Sequence, residues 1–505
     1  MYVIEERARG GGGAGSRIRV AAPNADAARA GACVEVVPEE TGPTERHPGG
    51  EVPFKSENGM PGMDEAFLGV LCRAAAAGEV KEEKKGKGGG GRSAPPATTA
   101  AAPLSLTHAT LAEEDVTKVT REGVVHLAFH PTAVLEGKGG SGGAPAARLL
   151  LAAGSKSGRV SLWDVDWAPP AGGVEAGDGD EPTANDTGAA AGVLEFAPHH
   201  SYVSGLAWAP RGGAAGTLFT ASYDGSVRAL DVSAPAGCFA PALLHADAEF
   251  SAFDVSPDGA WGVVADKDGV AYVFDPRAGG VPADAASSDP TAGSRGAIVG
   301  EHTLADRKVN CLSVEPGAAV AIAASFSDGA VRVFDLRALG AGGVGSASSK
   351  RGPPLARPLA EAAHTNTVQG CFFAPDGSGR ILTTSRDDTL GVWGGALQAF
   401  EGGKKAAASL TRLATCKHNN NTGRWVIPFR AIWAPPVWAG DTVLVGGMGR
   451  SVDVFSASSG KALASLKSPE HMTAIPSRVA AHPVLPVVAG ATASGRVNVF
   501  RCTGA

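Results

Sequence analysis

No two of the seven cysteines (Cys33, Cys72, Cys238, Cys311, Cys371, Cys416 and Cys502) stand close together. The chain therefore offers neither a disulfide framework nor a Cys-x-x-Cys metal knuckle, and the odd, scattered set points to a reducing compartment. Positive charge is not in surplus: 45 Lys and Arg against 51 Asp and Glu leave a formal charge of −6. No global field draws the protein to nucleic acid or to a membrane, so any such binding needs a local patch. No apolar run approaches the length of a membrane span and no signal-peptide core opens the chain, which predicts a soluble intracellular protein. Signatures of catalysis are missing too. There is no phosphate loop ending in Lys-Ser/Thr, no nucleophile elbow and no His-Glu-x-x-His pair, so no enzyme, cofactor or metal is expected.

What the chain does have is glycine, 70 of 505 residues, and a repeat. A short apolar strand, a turn, a second strand, a polar Gly/Asp tetrad and a third strand closing on an apolar residue recur seven times from Val124 onward. The closing half reads Ser157-Gly-Arg-Val-Ser-Leu-Trp-Asp164, Tyr223-Asp-Gly-Ser-Val-Arg-Ala-Leu-Asp231, Ser327-Asp-Gly-Ala-Val-Arg-Val-Phe-Asp335 and Ser494-Gly-Arg-Val-Asn-Val-Phe500. The closing positions are Trp163, Leu230, Phe274, Phe334, Trp393, Phe455 and Phe500. The steps from Leu230 to Phe274 and from Phe455 to Phe500 match the roughly 40–45 residues of a bare WD repeat, and longer steps carry insertions. The fold predicted is an all-β, seven-bladed WD-repeat β-propeller over residues 104–505.

Insertions rich in Gly, Ala and Pro fall at Gly137–Ala147, Pro169–Gly192, Gly279–Gly300, Ala338–Leu359 and Gly394–Ala408. All belong to loops of one face, the bottom, which leaves the top with short loops shaped for contact. The chain ends three strands into its seventh unit. The alternating stretch Asp115-Val-Thr-Lys-Val-Thr120 is expected to supply the fourth strand and close the ring. Residues 1–103 stand outside the repeat and read as a low-complexity, mostly disordered N-terminal region. Within it Asp64–Ala77 could form a short amphipathic helix with Phe67, Val70 and Leu71 on one face. The run Lys81–Lys87 is a weak nuclear-import candidate, diluted by glutamates.

The histidines His130, His199, His200, His364 and His482 read as packing or turn residues rather than metal ligands. Asp224, Asp268 and Asp328 read as turn carboxylates. The cations discriminate better. Lys156, Lys267, Arg386 and Arg450 lie in loops between second and third strands. Arg307 and Lys308 open the fourth unit, and Lys118 and Arg121 enter the first. All these positions fall on the top face. Each alone could be a solvated surface charge; their common face favours phosphate binding. The least generic stretch is Lys417-His-Asn-Asn-Asn-Thr-Gly-Arg-Trp-Val-Ile-Pro-Phe-Arg-Ala-Ile-Trp-Ala-Pro435, which carries Arg424, Trp425 and Arg430. Asn420–Gly423 is expected to form a tight projecting loop. Trp425 either stacks on a base from the loop tip or packs down on the neighbouring blade.

That stretch, with Lys118-Val-Thr, Ala128-Phe-His-Pro131, Ala153-Gly-Ser-Lys156, Ser222-Tyr-Asp-Gly225 and Ala265-Asp-Lys-Asp-Gly269, resembles the Cmr-type family, also called the WD repeat-containing protein 76 family. The resemblance runs from about Leu104 to Cys502. It implies a nuclear, non-enzymatic DNA-binding propeller acting in the DNA damage response or chromatin maintenance. The family is similar to the smaller subunit of the ultraviolet-damage-binding complex, which wedges a hairpin into damaged duplex. By position that wedge falls on Gly423, Arg424 and Trp425, and the phosphate contacts on Lys156 and on Arg307 or Lys308. The wedge side chains differ, which implies general duplex binding. The resemblance also extends to substrate receptors of cullin-4 ubiquitin ligases, which dock through Trp-Asp-x-Arg endings. Phe274-Asp-Pro-Arg277 and Phe334-Asp-Leu-Arg337 stand in their place, with Arg277 and Arg337 on the bottom face. The alternative reading is therefore an interaction scaffold or cullin-4 substrate receptor that never grips DNA. The partners implied are double-stranded DNA, the ligase's damage-binding adaptor and histones, for a monomeric protein.

Overall fold

A computed structural model describes residues 51–59, 62–78, 109–131, 134–135, 147–167, 191–209, 216–232, 237–245, 247–278, 298–341, 353–398, 407–423, 425–436, 438 and 441–502. The chain folds as a seven-bladed β-propeller. Each blade is an antiparallel meander. Blade 1 runs Val124–Phe129, Leu150–Ser155, Val160–Asp164 and Val193–Phe196; blade 4 runs Val309–Val314, Ala321–Phe326, Ala330–Asp335 and Ala360–Ala363. The first strand of each blade is innermost. Apolar residues of the second and third strands pack blade on blade, as where Ile322, Ala324 and Phe334 meet Val263, Ala265 and Val273. This burial of alternate residues on both sheet faces is why the strands read as near-continuous Val, Ala and Ile runs.

The turn between second and third strands needs a left-handed residue. Gly329 (φ 91°) and Gly495 (φ 86°) supply it, and in blades 5 and 6 Asp388 (φ 59°) and Arg450 (φ 54°) take the glycine's place. In blade 5, His364 hydrogen-bonds through Nδ1 with Asp387 Oδ2 (2.9 Å) and through Nε2 with Thr383 Oγ1 (2.8 Å), and the Trp393 indole donates to Thr383 Oγ1 (2.9 Å). His199 repeats this in blade 2 with Asp224, Ser226 and Thr220. His130 lies edge-on to Trp208 at 4.6 Å and His482 to Phe129 at 5.5 Å. These histidines are structural ties. Asp224 is more than a turn carboxylate, because it also fixes His199.

The last sheet holds Pro476–Ala481, Val487–Thr492 and Arg496–Cys502, and its outer edge is filled by Val116–Lys118 in the register Val116↔Asn498. Ala109–Thr110 continues along the same edge against Cys502 and Arg501. The single Arg501 Nε–H is shared between the two carboxylate oxygens of Asp115 (3.0 and 3.2 Å), and Arg501 Nη2 reaches Asp166 of blade 1 at 2.8 Å.

Two segments before residue 103 differ from the tail expected there. Val52–Pro53 adds a fifth strand to blade 2 by pairing with Phe239 and Cys238. The helix Met63–Gly78 carries Phe67, Val70 and Leu71 on its buried face, in one cluster with Phe54, Leu194, Phe196 and Phe239. The physical reason is the apolar area: four large side chains on a short segment find a matching patch where blades 1 and 2 meet. The run Lys81–Lys87 and most of the five Gly-rich insertions lie outside the described residues. Gly300 belongs to the outer strand Ile298–Thr303, and Leu336–Ala341 is a short helix.

Candidate functional site

In an antiparallel meander, second-to-third turns and entries into first strands share one edge of every sheet, so the sequence-derived cations fall on one face. Lys156 is exposed on the turn after Leu150–Ser155. Arg307 and Lys308 are exposed where the chain enters Val309–Val314. Arg307 Nη1 donates to the Asp306 carbonyl (3.2 Å), and Lys308 Nζ lies 5.3 Å from the Tyr223 ring centroid. Tyr223 meets Tyr202 edge to face at 5.5 Å, which carries the cation–aromatic line inward from the rim. Lys118 stands in register with Arg496, and Arg121 is exposed just beyond it.

Not every cation is free. Lys267 Nζ is held by Glu249 Oε1 at 2.7 Å, a hydrogen bond that also raises the lysine's pKa. Arg386 is exposed but is followed by Asp387 and Asp388. Exposed Glu122, Asp268 and Asp306 lie on the same face. The face is thus a mixed field with discrete cationic points, not a uniform basic plate.

The sixth-unit loop is built from its anchors. Asn420 is buried: its amide donates to the Ser385 (2.8 Å) and Thr389 (3.1 Å) carbonyls, and its Oδ1 meets His418 Nδ1 at 2.7 Å. Ile427 is buried among blade 1 and 2 residues, and Phe429 in the core. Between them Asn421, Gly423 and Trp425 are exposed. Gly423 takes φ 63° with nothing near the place of a side chain, and Trp425 is 82% exposed. Trp425 therefore stands free of the neighbouring blade, and Asn420 is a foot of the loop rather than part of its tip. Arg424 lies outside the described residues.

Arg430 belongs elsewhere. Its Nε donates to Gln369 O (2.9 Å) and its Nη2 to Asn310 O (2.7 Å), so it crosses the central channel from blade 6 to blades 5 and 4. Beside it Arg478 donates from Nε to Val125 O at 2.6 Å. Sequence reasoning missed Arg478, Tyr202 and Tyr223. The signal for Arg478 was a lone charge inside an otherwise apolar first strand.

The opposite face carries a matched pair. Arg277 places Nε and Nη2 on Asp275 (3.0 Å each), and Arg337 does the same on Asp335 (3.0 and 2.9 Å). Both guanidiniums are exposed, with fixed forks. The Arg277 hydrogen bond holds the Asp275 carboxyl below its usual range; at Asp335 burial opposes the shift and the Arg337 bonds outweigh it. Among the described residues no group of three or more His, Cys, Asp or Glu is placed to hold a metal ion. No helix described is long and apolar enough to cross a membrane.

Comparison with known proteins agrees with the repeat. The WD domain, G-beta repeat model matches residues 192–231. The chain is 30% identical over 395 residues to WD repeat-containing protein 76 of Xenopus laevis, covering 77% of this chain and 55% of that protein. It is 27% identical over 399 residues to the Mus musculus protein of the same name, covering 78% and 52%. It is 28% identical over 400 residues to DNA damage-binding protein cmr1 of Aspergillus clavatus, covering 77% and 66%. The chain thus spans about half the length of the two vertebrate relatives. The resemblance carried by the sixth-unit string is borne out by these relatives.

Proposed function

We propose that this WD-repeat propeller, similar over three quarters of its length to WD repeat-containing protein 76 and CMR1, is a nuclear, non-enzymatic protein that binds duplex DNA through its top face in a DNA-damage-related role. The relatives named for DNA damage binding support the role. One observation carries the placement: Trp425 stands out from a loop whose base is pinned, on the same face as Lys156, Arg307 and Lys308. Cations neutralise phosphates while an aromatic on a rigid foot stacks on or wedges between bases. Binding of the full chain to plain and lesion-bearing duplexes by gel shift tests it. A shift lost in the Lys156→Ala/Lys308→Ala double variant is expected; no shift with either duplex overturns it.

A second reading is favoured by the Arg277–Asp275 and Arg337–Asp335 forks of the bottom face. Two exposed guanidiniums held in the same pose suit docking to the adaptor of a cullin-4 ubiquitin ligase, with histones or repair proteins as cargo. An Arg277→Ala/Arg337→Ala variant that still co-purifies with the adaptor removes this reading.

A further inference from the structure

The innermost strands surround a cavity of about 190 Å³, lined among others by His126, Asp254, Cys311, Arg430 and Arg478. Six first strands shift register near their start, and the residue after each shift is His126, Gly205, Ala252, Cys311, Gly370 or Arg478. The glycine at one of these places, Gly370, leaves room that Arg430 uses. The stem of Arg430 lies over Gly370, whose added Cβ would sit 3.3 Å from Arg430 Cγ.

Two guanidiniums share the cavity with a single carboxylate, Asp254. Arg430 spends Nε and Nη2 on the Gln369 and Asn310 carbonyls. Arg478, 6% exposed, spends Nε on Val125 and Nη1 on the Ser477 and Pro428 carbonyls. Carbonyls satisfy N–H groups but do not cancel charge, and among the described residues no carboxylate pairs with either guanidinium. Burial, then the charge of Arg430, lowers Arg478 to about 9 against the opposing Tyr202 and Cys311, so Arg478 stays cationic at neutral pH. Burial and the same two arginines hold His126 well below its ordinary value, so it remains neutral. The cavity's carboxylate, Asp254, is turned to the Val314 (2.7 Å) and Val255 (2.9 Å) N–H groups, and burial lifts it to about 7. Cys311, held below its ordinary value by its hydrogen bond with Cys371 and then by Arg430 and Arg478, offsets part of the guanidinium charge. A buried cation such as Arg478 with no carboxylate partner costs several kcal/mol unless an anion joins it.

We propose that the channel is a binding site for a small tetrahedral oxyanion of phosphate or sulfate type, held between the guanidiniums of Arg430 and Arg478 with His126 and Cys311 beside it. Arg430 keeps Nη1 outside its carbonyl bonds, and charge-assisted N–H···O bonds are the strong ones. The volume selects the size of ligand. It equals roughly six waters, below the ~300 Å³ at which pockets for drug-sized ligands begin, a size that suits a free ion. This proposal does not depend on DNA binding.

The test uses the full chain in chloride buffer, titrated with inorganic phosphate against chloride of equal ionic strength. Phosphorus-31 line broadening and thermal unfolding are the readouts. Saturating phosphate is expected to raise Tm by about 3 °C. Arg430→Gln should weaken binding about tenfold or more. Arg478→Gln should do the same; if it does not fold, Arg430→Gln and the line widths still decide. No effect beyond matched chloride overturns the proposal, as does phosphate binding unchanged in Arg430→Gln. Displacement of bound phosphate by duplex DNA also overturns it, by assigning the charge to the nucleic-acid backbone.

Discussion

Replacing Lys156, Arg307 and Lys308 together by alanine isolates the electrostatic part of the proposed DNA contact. Each phosphate neutralised contributes about 0.9 to the slope of log affinity against log salt. Three contacts contribute about 2.7, which over a fourfold rise in salt amounts to roughly a 40-fold change in affinity. The triple variant should lose that share of the salt dependence, read by fluorescence anisotropy on one duplex at low and high salt. The structure supplies an internal control. Lys267 lies on the same face but is tied to Glu249 at 2.7 Å, so it must break an ion pair before it can serve a phosphate. Lys267→Ala should flatten the slope by clearly less than 0.9. If Lys267→Ala and Lys156→Ala flatten it equally, contact does not follow the pairing seen here. If the triple variant keeps the wild-type slope, the top face is not where DNA binds.

Trp425→Ala should cost about 1–3 kcal/mol of duplex or single-strand affinity without changing the salt slope, and Trp425→Phe should restore much of it. An unchanged affinity would leave the exposed indole without a role in DNA. Phe67→Ala empties a core position on the N-terminal helix and should cost about 3 kcal/mol or release the segment. Lower Tm and faster proteolysis before residue 80 check this, and an unaffected Tm would mean the helix adds nothing. Acid should weaken the fold early. Burial, then the neighbouring His130, lowers His482 to about 4, and its Nδ1 accepts the Val484 and Leu485 N–H bonds. A folded pKa below the unfolded 6.5 means stability is full above pH 6.5 and falls toward pH 4, by about 3 kcal/mol from this group. His199 and His364, lowered chiefly by burial, act in the same direction. A Tm that stays flat from pH 7 to 5 would refute the assignment.

The blades were legible because the signal is local: alternation, a left-handed turn residue and a closing aromatic all fall within one unit. The helix face of Phe67, Val70 and Leu71 was legible for the same reason. Its docking was not, since Leu194, Phe196 and Phe239 lie more than a hundred residues away. The candidate site divides along the same line. Which face a turn cation occupies follows from topology, so Lys156 and Lys308 could be placed by counting strands. Whether it is free does not, as Lys267 and Glu249 show. Arg430 was visible as a cation but its direction was not. The chain entering blade 6 places its guanidinium on carbonyls of blades 4 and 5, contacts 61 and 120 residues away in sequence. Trp425 left two choices open because exposure depends on how short the anchored foot of its loop is.

The sheet shared by Val116–Lys118 and Arg496–Cys502 also sets a schedule. A chain made from its N-terminus must keep Val116 waiting until Asn498 has left the ribosome, after all the other blades. Six blades can stack in turn as they emerge, but the ring stays open, with a bare strand at each end, until Arg496–Cys502 has emerged. Loss of the strand Arg496–Cys502 would therefore not trim the molecule; it would leave the ring without its clasp.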